Sequence, residues 1–187
     1  MQRRTIECYL LLILCACLLG CSSSTPSSTP PQATLKWAVY DPGDGKFTVD
    51  LPGKHELYHT EYHDKSLNLQ LHVQHVFCDT GDLKFEISYQ DFPRELTDDQ
   101  IEAQLSGGAD QISQEADQFS QERIEVQGHP AMETKTEIKG MQAQSVGRFV
   151  FVDKKRFYSM QVFSVKGKPP RDIADRFFDS FRLGAID

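Results

Sequence analysis

The chain predicts a mixed α/β (α+β) domain, and three observations carry that prediction. Several runs alternate apolar with polar residues at period two, the pattern of strands that bury one face. Two stretches, one opening at Thr97 and one after Pro169-Pro170, change to helical spacing. Phe149-Val150-Phe151-Val152 is apolar at consecutive positions, as a central strand covered on both faces should be.

The first element is not part of the domain. Arg3 and Arg4 precede an apolar run from Tyr9 to Leu19, and Gly20 closes it, which is the layout of an export signal over residues 1–20. The apolar run is about a dozen residues, short of the ~20 that span a bilayer as a helix, so removal is expected. Leu18-Leu19-Gly20-Cys21 resembles the lipobox of bacterial lipoproteins. That resemblance implies that the Cys21 thiol is diacylated, that the signal is cut before it, and that the membrane is a partner through this lipid. Two or three acyl chains at ~0.8 kcal/mol per buried methylene hold permanently, where one chain would be reversible. Ser22 in place of an acidic residue resembles outer-membrane lipoproteins, so the expected location is the cell envelope, facing the periplasm in a Gram-negative cell. Residues 21–34, rich in Ser, Thr and Pro, are expected to form an unstructured tether.

Residues 35–187 form the expected globular domain. Leu35, Trp37 and Val39 alternate with Lys36 and Ala38; Asp41 to Gly45 turns the chain into Phe47, Val49 and Leu51, ended by Pro52-Gly53. A longer hairpin pairs Leu67 to Val73 with Leu83 to Tyr89 across Asp79-Thr80-Gly81-Asp82. The helix has Thr97 as N-cap with Gln100 three residues on, acidic Asp98 and Asp99 at its positive end, and the stripe Ile101, Leu105, Ala109, Ile112 and Ala116. Gly107-Gly108 inside it predicts a kink or close packing. Arg123 to Val126, the turn Gln127-Gly128-His129-Pro130, and Met132 to Ile138 give two strands; Met141 to Val152 and Arg156 to Val165 give two more. Pro169-Pro170 enters a last helix whose Ile173, Phe177 and Phe181 share a stripe.

Four segments stand in consistent order: Gly45-Lys46-Phe47-Thr48-Val49-Asp50-Leu51-Pro52-Gly53, Tyr89-Gln90-Asp91-Phe92-Pro93, Val126-Gln127-Gly128-His129-Pro130-Ala131, and Ala174-Asp175-Arg176-Phe177-Phe178-Asp179-Ser180-Phe181. Together they resemble small exported bacterial proteins of unassigned function whose fold is similar to the PsbP-like type. The resemblance implies an antiparallel sheet sandwiched between helices, and a binding or assembly role rather than catalysis.

Composition narrows the partners. The chain carries a net charge of −7. Removal of residues 1–20 takes away Arg3, Arg4 and Glu7, making the mature chain one unit more acidic. Phosphate binding needs a clustered basic face, so no nucleic acid is expected. Lys154-Lys155-Arg156 and Lys166/Lys168/Arg171 read as solvated turn ends. Of five cysteines, three leave with the signal and Cys21 takes lipid, leaving Cys78 without a disulfide partner and, lacking a nearby base, as a packed thiol.

No phosphate loop, nucleophile elbow or paired-His zinc motif appears, no cofactor is expected, and the carboxylates are scattered at solvent-facing positions. His129 reads as a turn residue. Histidine is the one concentration: His55, His59, His63, His72 and His75 are five of the six, interleaved with Tyr58 and Tyr62. On a strand a four-residue step separates His55, His59 and His63 by about 13 Å each, too far for one ion, and His72 and His75 point to opposite faces. A metal site needs the segment to fold back. Tyr58, His59, Tyr62 and His63 are the expected contact surface for a protein partner, because aromatics supply area at low entropic cost. A metal-binding envelope protein using the 55–75 tract is the alternative.

Overall fold

The computed structural model describes residues 35–113, 116–138 and 142–184, without the side chains of 108–113. The expected signal and tether with Cys21, the side chains of Ala109 and Ile112, and Met141 lie outside the described residues. Leu35–Asp187 is one compact unit.

Phe47, Val49 and Leu51 are buried because β2 (Phe47–Pro52) lays its apolar face inward. It pairs antiparallel with β1 (Trp37–Tyr40) and, on its other side, with the two-residue β10 (Arg182–Leu183), making a three-stranded sheet. The remaining strands are β3 (His55–Asp64), β4 (Leu69–Asp79), β5 (Leu83–Asp91), β6 (Ala116–Val126), β7 (His129–Ile138), β8 (Gln144–Val152) and β9 (Arg156–Ser164). They form a seven-stranded sheet in the order β3-β4-β5-β9-β8-β7-β6, antiparallel at every step. β8 and β9 are central, and consecutive apolar residues in β8 serve both faces: Val150 and Val152 face one core, Phe149 and Phe151 the other.

One core lies between this sheet, the small sheet and helix α2 (Arg171–Ser180), built on Phe47, Phe85, Tyr158, Phe177 and Phe181. The other lies under helix α1 (Asp98–Ser113) and holds Leu71, Phe92, Ile101, Leu105, Phe149 and Phe151. The observed architecture is therefore an α+β sandwich, an antiparallel sheet with a helix on each face. The capping box that opens α1 is formed: the Gln100 amide donates to Thr97 Oγ1 at 3.3 Å, and the Thr97 amide donates to Gln100 Oε1 at 3.0 Å.

Four local expectations are corrected. Ala116 is not on the helix stripe, since β6 begins there and pairs along its length with β7 from Ala116↔Ile138 to Val126↔His129. A long cross-strand ladder outweighs the weak helical preference of a Gln-, Asp- and Ser-rich segment. His129 and Pro130 are strand residues, because the β6–β7 turn needs only Gln127 and Gly128, both at positive φ (52° and 83°). At Gly107 the close-packing alternative finds no support among the described residues, where an added Cβ would meet nothing within 4 Å; the surroundings of Gly108 lie outside them. Arg156 is no solvated turn end: it is 6% exposed. Its guanidinium donates to Asp44 Oδ2 and Asp91 Oδ2, each at 3.0 Å, and lies over the Tyr89 and Tyr158 rings. It clamps the β1–β2 turn to the central strands. Burial would raise the Asp44 carboxyl, but the Lys46 amide and the Arg156 guanidinium outweigh it and hold Asp44 below its ordinary range. Burial pushes the Tyr158 hydroxyl up to about 12, so it stays protonated beside the arginine.

Cys78 is buried under the small sheet, and its thiol donates to the Pro52 carbonyl at 2.6 Å. Burial, then the charge of Asp79, pushes it up to about 11. At pH 8 the thiolate fraction is on the order of one in a thousand, so a soluble alkylating reagent should label Cys78 only at the rate of unfolding. Rapid stoichiometric labelling of the folded protein would show that the β2–β4 packing is wrong.

Candidate functional site

Lys54 follows Gly53, whose φ of 97° turns the chain out of β2, and His55–Asp64 then runs as a complete ten-residue strand. It pairs with β4 from His55↔Cys78 to Asp64↔Leu69 and stands last in the strand order. The far end is closed by Asp64, whose Oδ1 accepts from the Ser66 and Leu67 amides at 2.9 and 3.0 Å while Oδ2 accepts from Gln104 of α1 at 2.9 Å. Burial alone would raise this carboxyl, but those hydrogen bonds lower it.

Strand alternation divides the expected contact residues between two faces. Tyr58 and Tyr62 share the face that bears α1. The Tyr58 ring stacks on His75 with centroids 4.4 Å apart and planes 3° from parallel, and its hydroxyl donates to Glu86 Oε1 at 3.1 Å. Tyr62 packs against the α1-side core and its hydroxyl donates to Gln90 Oε1 at 3.2 Å. His59 and His63 lie on the opposite face with His55, Leu57 and Glu61, and all five are exposed. The adjoining Gln70, His72 and Gln74 of β4 are exposed too, so an open strip of sheet extends beyond the small sheet's cover. Leu57 is 63% exposed, the largest exposure of any big apolar side chain there, and Tyr58 is 41% exposed. His72 Nδ1 lies 3.1 Å from Glu61 Oε1, a surface pair of little energetic weight.

The sequence reading missed a part-buried network that joins three strands around a buried histidine. His75 is 2% exposed. Its Nδ1 is 2.8 Å from Glu86 Oε1 and its Nε2 is 2.9 Å from Thr60 Oγ1. The spacing orders a hydroxyl, an imidazole and a carboxylate in one chain. With its ring beneath Tyr58, His75 acts as an internal brace that ties β3 to β4 and β5. The alternation of His72 and His75 was readable from sequence, but Thr60 and Glu86 become its partners only through the register Thr60↔Val73 and His75↔Ser88. Among the described residues no group of three or more His, Cys, Asp or Glu side chains converges as a metal site. Among those residues, too, no helix is long and apolar enough to cross a membrane.

Fold and site together define an α+β sandwich with an exposed terminal strand. No protein-family model matches the chain, and no curated protein matches it significantly. A solved crystal structure of a Pseudomonas aeruginosa protein of unknown function is similar at a TM-score of 0.34 and 7% identity, covering 69% of this chain and 83% of the other.

Proposed function

We propose that this chain is a lipid-anchored envelope lipoprotein whose PsbP-like domain is a non-enzymatic binding or assembly module for a protein partner. The observation that carries the binding reading is the exposed strip on β3, with Leu57 at 63% exposure among His59, Glu61 and His63. A large apolar side chain held in water on a paired strand, ringed by polar groups, is the anatomy of a contact surface. Tyr58 extends it over the strand. Tyr62 contributes more to the α1-side core than to contact, so Tyr62→Ser should cost on the order of 2 kcal/mol of stability.

The contact reading has a distinct mutational signature. Leu57→Ser combined with His63→Ser should change stability by under about 1 kcal/mol, because both side chains are solvated, while partner capture is lost. A large fall in melting temperature with capture retained would overturn it. The anchor, carried by Leu18-Leu19-Gly20-Cys21 alone, is tested by Cys21→Ser. That variant should leave the membrane fraction, and persistent partition with membranes after high-salt washing would exclude the lipid anchor.

A further inference from the structure

We infer that the exposed strip also carries a surface site for a divalent transition-metal ion, held by His72 and Glu61 with one flanking histidine, His59 or His63. The inference goes beyond the protein-partner reading and does not rest on it. Spacing along β3 alone excludes such a site, since His59 and His63 stand about 13 Å apart. The register removes that obstacle without any folding back, because β4 supplies a ligand between them. Glu61 lies opposite His72, while His59 and His63 lie opposite Gln74 and Gln70. Strand alternation puts all six of these side chains on one face, and all six are exposed.

The local geometry favours this cluster. His72 Nδ1 is 3.1 Å from Glu61 Oε1, so two ligand-type side chains already meet, at exposures of 64% and 54%. An exposed pair of this kind is worth little, and an ion parts it at small cost. His59 and His63 are each diagonal to His72, a separation of ~7–8 Å that long and aromatic side chains span. Among the described residues neither makes a hydrogen bond or ion pair that would hold its imidazole away. Neither β3 nor β4 contains a lysine or arginine to repel a cation. As they stand, no three of the side chains converge. Closing the set takes the rotation of one exposed imidazole, a fast motion that leaves the backbone in place. Two imidazoles and a carboxylate suit zinc or copper(II), whereas calcium and magnesium demand oxygen ligands.

The test titrates zinc chloride into the full lipidated chain in detergent and phosphate-free buffer, followed by calorimetry. One ion should bind per chain, copper(II) should displace it, and calcium should not. His72→Ala should weaken zinc binding about tenfold or more, and so should Glu61→Ala and the double change His59→Ala with His63→Ala, since each removes one of three ligands. His129→Ala, on β7, should leave the affinity unchanged. All four strip residues are exposed, so the melting temperature of these variants without metal should match the parent chain. Full zinc affinity in His72→Ala or in the double variant, an equal loss in His129→Ala, or displacement by calcium would overturn the inference. No saturable zinc binding by the parent chain would overturn it too, and would leave the protein-partner reading untouched.

Discussion

Arg156→Met is expected to destabilise the fold by about 2–4 kcal/mol, measured by urea unfolding. The side chain is the buried cation between Asp44 and Asp91 at the end of β9, with the exposed Lys46 also 3.5 Å from Asp91, and it covers the Tyr89 and Tyr158 rings. The upper part of the usual range for a broken buried pair does not apply in full, since Asp44 and Asp91 are 34% and 51% exposed and rehydrate when the cation leaves. What cannot rehydrate is the Tyr158 hydroxyl, which is fully buried. Arg156→Lys keeps the charge but not the planar fork that reaches both carboxylates, so it should recover only part of the loss. The acid limb gives a second signature. A carboxyl held low in the folded state contributes stability that is complete above its unfolded pKa of about 3.9 and is lost as pH falls through the folded value. Asp44 is such a group, so the stability gap between wild type and Arg156→Met should narrow on acidification below about pH 4. An unchanged gap would mean that Arg156 acts through packing alone.

Phe47→Ala should cost about 4 kcal/mol. Phe47 is 1% exposed, and its ring meets Tyr89 at 5.0 Å, Tyr158 at 5.3 Å, Phe181 at 5.9 Å and Tyr40 at 6.1 Å. Those contacts join the small sheet, the large sheet and the end of α2, so no single neighbour can move to fill the hole without losing another contact. Val39→Ser on the adjacent strand, where the side chain is 69% exposed, should stay within about 0.5 kcal/mol. Similar losses at the two positions would contradict the placement of this core.

The parts of the fold that were legible in sequence are those whose cause is local. The β1–β2 hairpin, the Thr97–Gln100 capping box, the β8–β9 centre and the Phe177 stripe each follow from spacing within one segment. The rest depends on contacts between distant residues. Arg156 reads as one of three basic residues at a turn because Asp91 and Asp44 are 65 and 112 positions away. The chain looks helical up to Ala116, the first residue of β6, because that strand's state is set by β7. β10 has two residues and no pattern to read, although it completes the small sheet, with the Gly184 amide donating to the Lys46 carbonyl at 2.9 Å. The candidate site shows the same division. Its composition singled out Tyr58, His59, Tyr62 and His63, but strand geometry sends the tyrosines and histidines to opposite faces and puts Leu57 at the centre of the exposed strip. Thr60, His75 and Glu86 were hidden until the register aligned them.

Photo-crosslinking in intact cells tests most directly whether this domain engages protein through β3. A photoreactive residue at position 59 or 63 of the full chain should yield discrete protein adducts, while one at Gln121, exposed on β6 at the opposite end of the sheet, should yield none. Adducts of equal strength from all three positions, or from Gln121 alone, would contradict the account.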